Sequence, residues 1–285
     1  MHKVCQVAKN GVYRTLTHGR FYFALFINLI LIKQLTDSIR NFSEAVRINA
    51  SPWLFPFLMQ QSYIQFLFLA GATLLFCDAP FIEEGSSFEM IRAGKKKWIA
   101  GKLLYMISIS FLYTTAIMLL TIFLLFPRIS FQNNWGKVLG TLAQTNAAEV
   151  FGNNYISLDY RIILKYEPIE AMVFSFLIAV CVCFIVGLCV LTVNLCFKKV
   201  PGALGGITVA LMSYFQKNFS NLYAMSFFSP ASWMDIALWN RKITLSYPSV
   251  NYMVTFLILS IFILCVFSMI VFWRLKDVLN KKGEY

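Results

Sequence analysis

Residues 171–197 read AMVFSFLIAVCVCFIVGLCVLTVNLCF, 27 positions without a charged side chain. As a helix rising 1.5 Å per residue the run reaches ~40 Å, more than the ~30 Å hydrocarbon core of a bilayer. Inside that core each backbone N–H and C=O must bond within the protein, which a helix achieves on its own. The pattern recurs on both sides of this stretch. Apolar runs at Phe21–Leu35, Trp53–Phe76, Leu103–Phe126, Gly202–Gln216 and Tyr252–Trp273 alternate with polar segments. The expected fold is an all-α integral membrane protein with six transmembrane helices, a single transmembrane domain over residues 1–285. The first and fifth runs are short; Lys33 can snorkel to an interface and let the first helix continue to about Ile39.

Composition agrees. Of the 285 residues 59% are hydrophobic and 13% charged, too little charged surface to cover a soluble domain of this length. The formal charge of +12 is not a nucleic-acid signature, because the basic residues flank apolar runs. Such flanks orient a membrane protein and attract anionic lipid. Segments 1–20, 77–102, 198–201 and 274–285 hold 15 of the 25 Lys and Arg, denser than the longer segments 36–52, 127–170 and 217–251. Density therefore predicts both ends inside, with no nucleic-acid partner and the bilayer as one. Of the seven cysteines, four (Cys181, Cys183, Cys189 and Cys196) share one run, where they read as small packing residues.

Residues 1–20 carry Lys3, Lys9, Arg14 and Arg20 without an acid, and Val4, Val7, Ala8, Val12 and Leu16 recur at helical spacing. This predicts an amphipathic helix on the inner leaflet. The interrupted stretch Leu222–Trp239 reads as re-entrant or interfacial helices between the fifth and sixth spans. In the extracellular segment 127–170, Trp135–Ala143 and Tyr155–Leu164 are candidate small elements. Residues 274–285 form the cytoplasmic tail.

The spans carry almost no ionisable group, although each functional one would stand out against a cost of about 2.5–3.5 kcal/mol. Gln60, Gln61 and Gln65 are the most polar residues at depth. Gln61 and Gln65, four apart, share a helix face and serve either interhelical bonding or a wet path. Gly202, Gly205 and Gly206 serve either close helix packing or a hinge. The sequence has no phosphate loop of the G-x-x-x-x-G-K-[S/T] type, no H-E-x-x-H and no G-x-S-x-G, so catalysis by this chain itself is not expected.

Between the second and third spans lies DAPFIEEGSSFEMIRAGKKKWIAGK, residues 78–102. Ser86 followed by Glu89 fits a capping box, starting a short helix near Ser86. Phe88, Met90 and Ile91 give the helix an apolar side, and Arg92, Gly94 and Lys95–Lys97 end it with positive charge. Trp98 and Lys102 mark return to the interface. The order of acid pair, glycine, helix and basic exit resembles the membrane subunits of ABC type-2 exporters. Glu83, Glu84, Gly85, Ser87, Glu89, Ile91, Arg92 and Lys102 occupy the places of that pattern. The family often has proline where this chain has Ala93-Gly94.

By resemblance, residues 83–94 form a cytoplasmic coupling helix, seated in a groove of a separate ATPase subunit, with Phe88 and Met90 among its contact residues. The resemblance further implies ATP and Mg on that partner, with no cofactor or metal held by this chain. It implies pairing with a second copy or a related permease, and location in a bacterial cytoplasmic membrane. The implied role is export of a peptide, lipid or other amphipathic substrate. The alternative is a membrane scaffold or assembly factor.

Overall fold

The computed structural model describes residues 2–81, 86–145, 147, 158–197, 201–219, 224–240 and 247–282. In chain order the α-helices are α1 (His2–Thr17), α2 (Gly19–Val46), α3 (Phe55–Gln60), α4 (Ser62–Phe76), α5 (Ser86–Ala93) and α6 (Lys95–Leu125). They continue as α7 (Gly136–Gln144), α8 (Tyr160–Lys165), α9 (Pro168–Phe197), α10 (Pro201–Asn218), α11 (Met225–Phe228) and α12 (Val250–Lys282). Short 3-10 turns occupy Ser232–Met234 and Ile236–Asn240. Among the described residues, β structure is limited to one bridge between Ala50 and Ile129.

Among the described residues, four helices are long and apolar enough to cross a membrane: Gly19–Val46, Lys95–Leu125, Pro168–Phe197 and Val250–Arg274. The chain is an all-α membrane protein. α9 is its axis, touching α4, α6, α10 and α12, and 67% of its apolar window is buried against 11% for α12. The outer surface of α12 presents Ile258, Leu259, Phe262 and Ile263 uncovered, a contiguous apolar face suited to lipid.

Two runs differ from the expected spans. α2 passes Ile39 and reaches Val46, because the buried stripe Ile32, Leu35, Ile39 and Phe42 continues at helical spacing through its polar residues. The second run is broken. Gln61 is extended (φ −80°, ψ 120°) between α3 and α4, and the Gln65 side chain donates from Nε2 to the Met59 carbonyl at 2.5 Å, satisfying an acceptor at the break.

Contacts divide the molecule into two ends. At one, Lys3 bonds Arg92 O, Arg20 pairs with Asp78, Asn194 bonds Cys77 O and Ala79 O, and Lys96 lies over Trp273. At the other, Arg128 pairs with Glu44, Trp53 bonds Gln132 O, and Gln60 bonds both Asp159 and Lys217. Tyr252 there bonds Phe227 O. α7 and α8 lie within the 127–170 segment, and α11 with the 3-10 turns lies within 222–239; residues 155–157 and 222–223 of the expected elements lie outside the described residues.

α1 is docked against α6. A Cβ on Gly11 would stand 2.7 Å from Tyr105 Cδ2, and one on Gly101 2.7 Å from Val7 Cβ. Glycines on both faces let the helices meet closely. The α10 glycines serve packing in the same way: a Cβ on Gly202 would meet Asn194 Oδ1 at 2.1 Å and one on Gly206 Thr73 Oγ1 at 2.6 Å.

Candidate functional site

The short helix of the 78–102 segment forms as α5, Ser86–Ala93. Glu83, Glu84 and Gly85 lie outside the described residues. The capping box does not form. Among the described residues Ser86 Oγ is buried with no hydrogen-bond partner, and the Glu89 carboxylate points away from the helix start to three other groups. Asn10 Nδ2 donates to Glu89 Oε1 at 3.2 Å. Trp98 Nε1 donates to Oε2 at 3.2 Å, and Lys102 Nζ stands 3.9 Å from the same oxygen. Lys102 is 3% exposed, its ammonium 5.1 Å from the Trp98 ring centre. A buried ammonium has to be paired, and Glu89 answers that demand in preference to a backbone amide. Lys102 is thus a buried, paired group of α6.

The apolar residues of α5 also separate. Met90 and Ala93 are buried, whereas Phe88 is 73% and Ile91 80% exposed. At 100° per residue Phe88 and Ile91 lie on adjacent positions of one face, with Met90 on another. The helix therefore has two apolar faces, one anchoring it to the body and one standing outward.

Its C-terminal end is held from α1. Lys3 Nζ donates to Arg92 O at 2.8 Å, placing positive charge against the last carbonyls. Lys95–Lys97, expected to do this, instead open α6. Gly94 alone joins the two helices, with φ 84° and ψ 144°, a region essentially reserved for glycine. That is why glycine stands at this junction.

Gln60, Gln61 and Gln65 are all buried, but α3 and α4 do not present Gln61 and Gln65 as one continuous helical face. Gln65 closes the helix break. Gln60 reaches outward, with Oε1 accepting from Asp159 N at 3.1 Å and its carbonyl from Lys217 Nζ at 2.5 Å.

Around Gln60 lies a charged cluster that sequence reading missed. Arg161 binds Asp159 through two nitrogens, and Asp235 Oδ1 accepts from Ala237 N at 3.0 Å. Burial pushes the Asp235 carboxyl up to about 6, outweighing the nearby Lys217 charge that acts to lower it. A lone acid inside the apolar FFSPASWMDIALW, 227–239, was the available signal.

No protein-family model, curated protein or solved structure matches the chain.

Proposed function

We propose that this chain is the permease subunit of an ATP-driven exporter. It pairs with a second copy or a related chain and takes its energy from separate ATP-hydrolysing subunits that carry ATP and Mg. The observation that carries this reading is α5: a short helix, clamped through Glu89 and joined to a long apolar helix by one residue, with Phe88 and Ile91 exposed. Exposed large apolar side chains beside charged ones are the composition of a protein-docking face. Displacement of α5 by a partner passes directly into α6 through Gly94, and into α1 through Asn10 and Lys3. The likeness of residues 83–92 to the coupling loop of ABC type-2 exporters supports the choice of partner.

Six crossings are supported by parity. Lys3 and Arg92 meet at one end on either side of α2, so a crossing by α2 needs a return through α3 and α4 together. α9 and α12 need the same of α10. The spans then present few charges, suiting an amphipathic substrate such as a peptide or lipid. The positive end faces the cytoplasm in this reading, in the cytoplasmic membrane of a bacterial cell.

Purification of the tagged chain in mild detergent from its own cells tests the proposal. An ATPase subunit is expected to co-purify with the wild type, and Phe88→Asp or Ile91→Asp to reduce its recovery about tenfold or more, as for a central contact residue. Wild type that recruits no ATPase, with Ile91→Asp leaving cells unchanged, would return the chain to the class of scaffold or assembly factors.

A further inference from the structure

α2 carries a second stripe opposite its buried one. Phe23, Phe26 and Ile30 are exposed, and their alternate spacing of three and four continues through Lys33, Asp37, Arg40 and Glu44. That 3-4 alternation is the seam along which two parallel helices coil about each other, each seam side chain entering a gap in its partner. α4 and α6 pack on α2 where Ala24, Asn28, Ile32 and Leu35 are buried. The seam faces away from them.

With α2 running on to Val46, Lys33 lies mid-helix and not at an end. It stands thirteen residues beyond Arg20, which pairs with Asp78, and eleven before Glu44, which meets Arg128. Those intervals are ~20 Å and ~16 Å of helix. When α2 crosses a bilayer, Lys33 is near the middle of the hydrocarbon, too deep to snorkel out, and Asp37, one turn on, has a shorter side chain. Lys33 is exposed and Asp37 half-buried. Among the described residues neither holds an ion pair, whereas Arg40 and Glu44 already pair within the helix. Charges at membrane depth face protein or water and pair with one another. Lipid does not meet that demand.

We propose that this face of α2 is the surface on which a second copy of the chain pairs, the two α2 helices running parallel about a twofold axis. Phe23, Phe26 and Ile30 form the apolar part of the seam. Under a twofold, a side chain on one flank of the seam meets the opposite flank of the other copy. Lys33 and Asp37, one turn apart and of opposite sign, are self-complementary in that arrangement. Each Lys33 stem spans one layer of the seam to the second copy's Asp37, where low dielectric strengthens the attraction. The inference rests on the reading of the chain as one of a pair and names the face; it does not depend on what energises the chain.

The test uses the full chain in native membranes. Phe26→Cys, Ile30→Cys and, as control, Phe262→Cys on the exposed face of α12 are made singly in a cysteine-free chain and oxidised. The two α2 variants are expected to give at least about tenfold more disulfide-linked dimer than the control, since seam side chains meet their counterparts. The charges are tested with two differently tagged chains expressed together. Asp37→Lys in both chains, or Lys33→Asp in both, sets like charges across the seam and is expected to lower co-recovery of the second copy about tenfold or more. Asp37→Lys in one chain and Lys33→Asp in the other is expected to restore it. An ion pair within one helix is lost in both variants and is not returned by mixing, so failure of the mixed pair to recover overturns the proposal. Cross-linking at Phe26 and Ile30 no greater than at Phe262 overturns it as well, and this arm decides if a charge variant fails to fold. A dimer by native mass spectrometry without cross-linking along α2 rejects this face and leaves pairing in place, whereas no dimer at all rejects pairing with a second copy. ATPase recovery from the same preparations bears on the exporter reading and not on this face.

Discussion

Asp235 shows how one side chain sets the behaviour of the end of the molecule far from α1. Its carboxyl is raised from the ordinary value near 4 to about 6 by burial, so the folded protein binds this proton more tightly than the unfolded chain. The stabilisation from the raised value is fully present below about 4 and is lost as pH rises through about 6. At neutral pH the ionised form is held at a cost on the order of 3 kcal/mol. Lys217 lessens that cost without cancelling it, as the upward direction of the shift requires. Asp235→Asn keeps an oxygen for Ala237 N and removes the charge. The thermal midpoint of the variant is expected to exceed that of the wild type at pH 8 and to lose the rise that the wild type shows between pH 7 and pH 4. Parallel midpoint curves for the two proteins would rule out Asp235 as the source. The residue lay in plain view as an acid among aromatics, but its neighbours Asp159, Arg161 and Lys217 come from segments far apart in sequence, so the cluster itself was not legible.

Elements were legible where period and length agree. The apolar runs of α2, α6, α9 and α12 announce helices, and the stripe that extends α2 to Val46 was present in the spacing of Ile32, Leu35, Ile39 and Phe42. The break at Gln61 had no Gly or Pro at its own position to mark it. It exists because Gln65 can answer the Met59 carbonyl, a local substitute that periodicity does not encode. The capping box was misread for a related reason: Ser86 and Glu89 have the spacing, but Lys102, thirteen residues further on, makes the larger electrostatic demand. The position of α1 was half visible, as an amphipathic helix read onto the inner leaflet without a contact in the bundle. Its address is α6, through Gly11 under Tyr105 and Gly101 under Val7. Gly101→Val forces these helices apart, at a cost of about 1–3 kcal/mol for an overpacked contact. The expected result is a lower thermal midpoint and faster proteolysis within residues 1–20, with the remainder of the chain cleaved as in wild type. Unchanged protection of α1 would show that its hold does not depend on this contact.

For the whole molecule, the decisive relation is which segments share an end. Among the described residues four helices are long and apolar enough to cross a membrane, and these four alone do not close the circuit of contacts. α6 begins at the end where Lys3 lies, although α2 has carried the chain to the other, where Glu44 meets Arg128. α3 and α4 together number 21 helical residues, ~30 Å at 1.5 Å per residue, enough to make the return. α10 has 18 residues and runs from Asn194 at one end to Gln60 at the other. The break at Gln61 lies near the far end, at the level of the Asp159 contact, where an unpaired carbonyl is answered by side chains and not by lipid. Single cysteines introduced into a cysteine-free chain at Asn133 and Lys97, both exposed, test the circuit with a membrane-impermeant maleimide. Asn133→Cys is expected to react in intact cells, and Lys97→Cys only after lysis, as is a cysteine at His2. Labelling of the Lys97 position in intact cells, with the His2 position protected, would mean that the segment between α2 and α6 does not cross, and would leave α5 on the side opposite α1, contrary to the contact between Lys3 and Arg92.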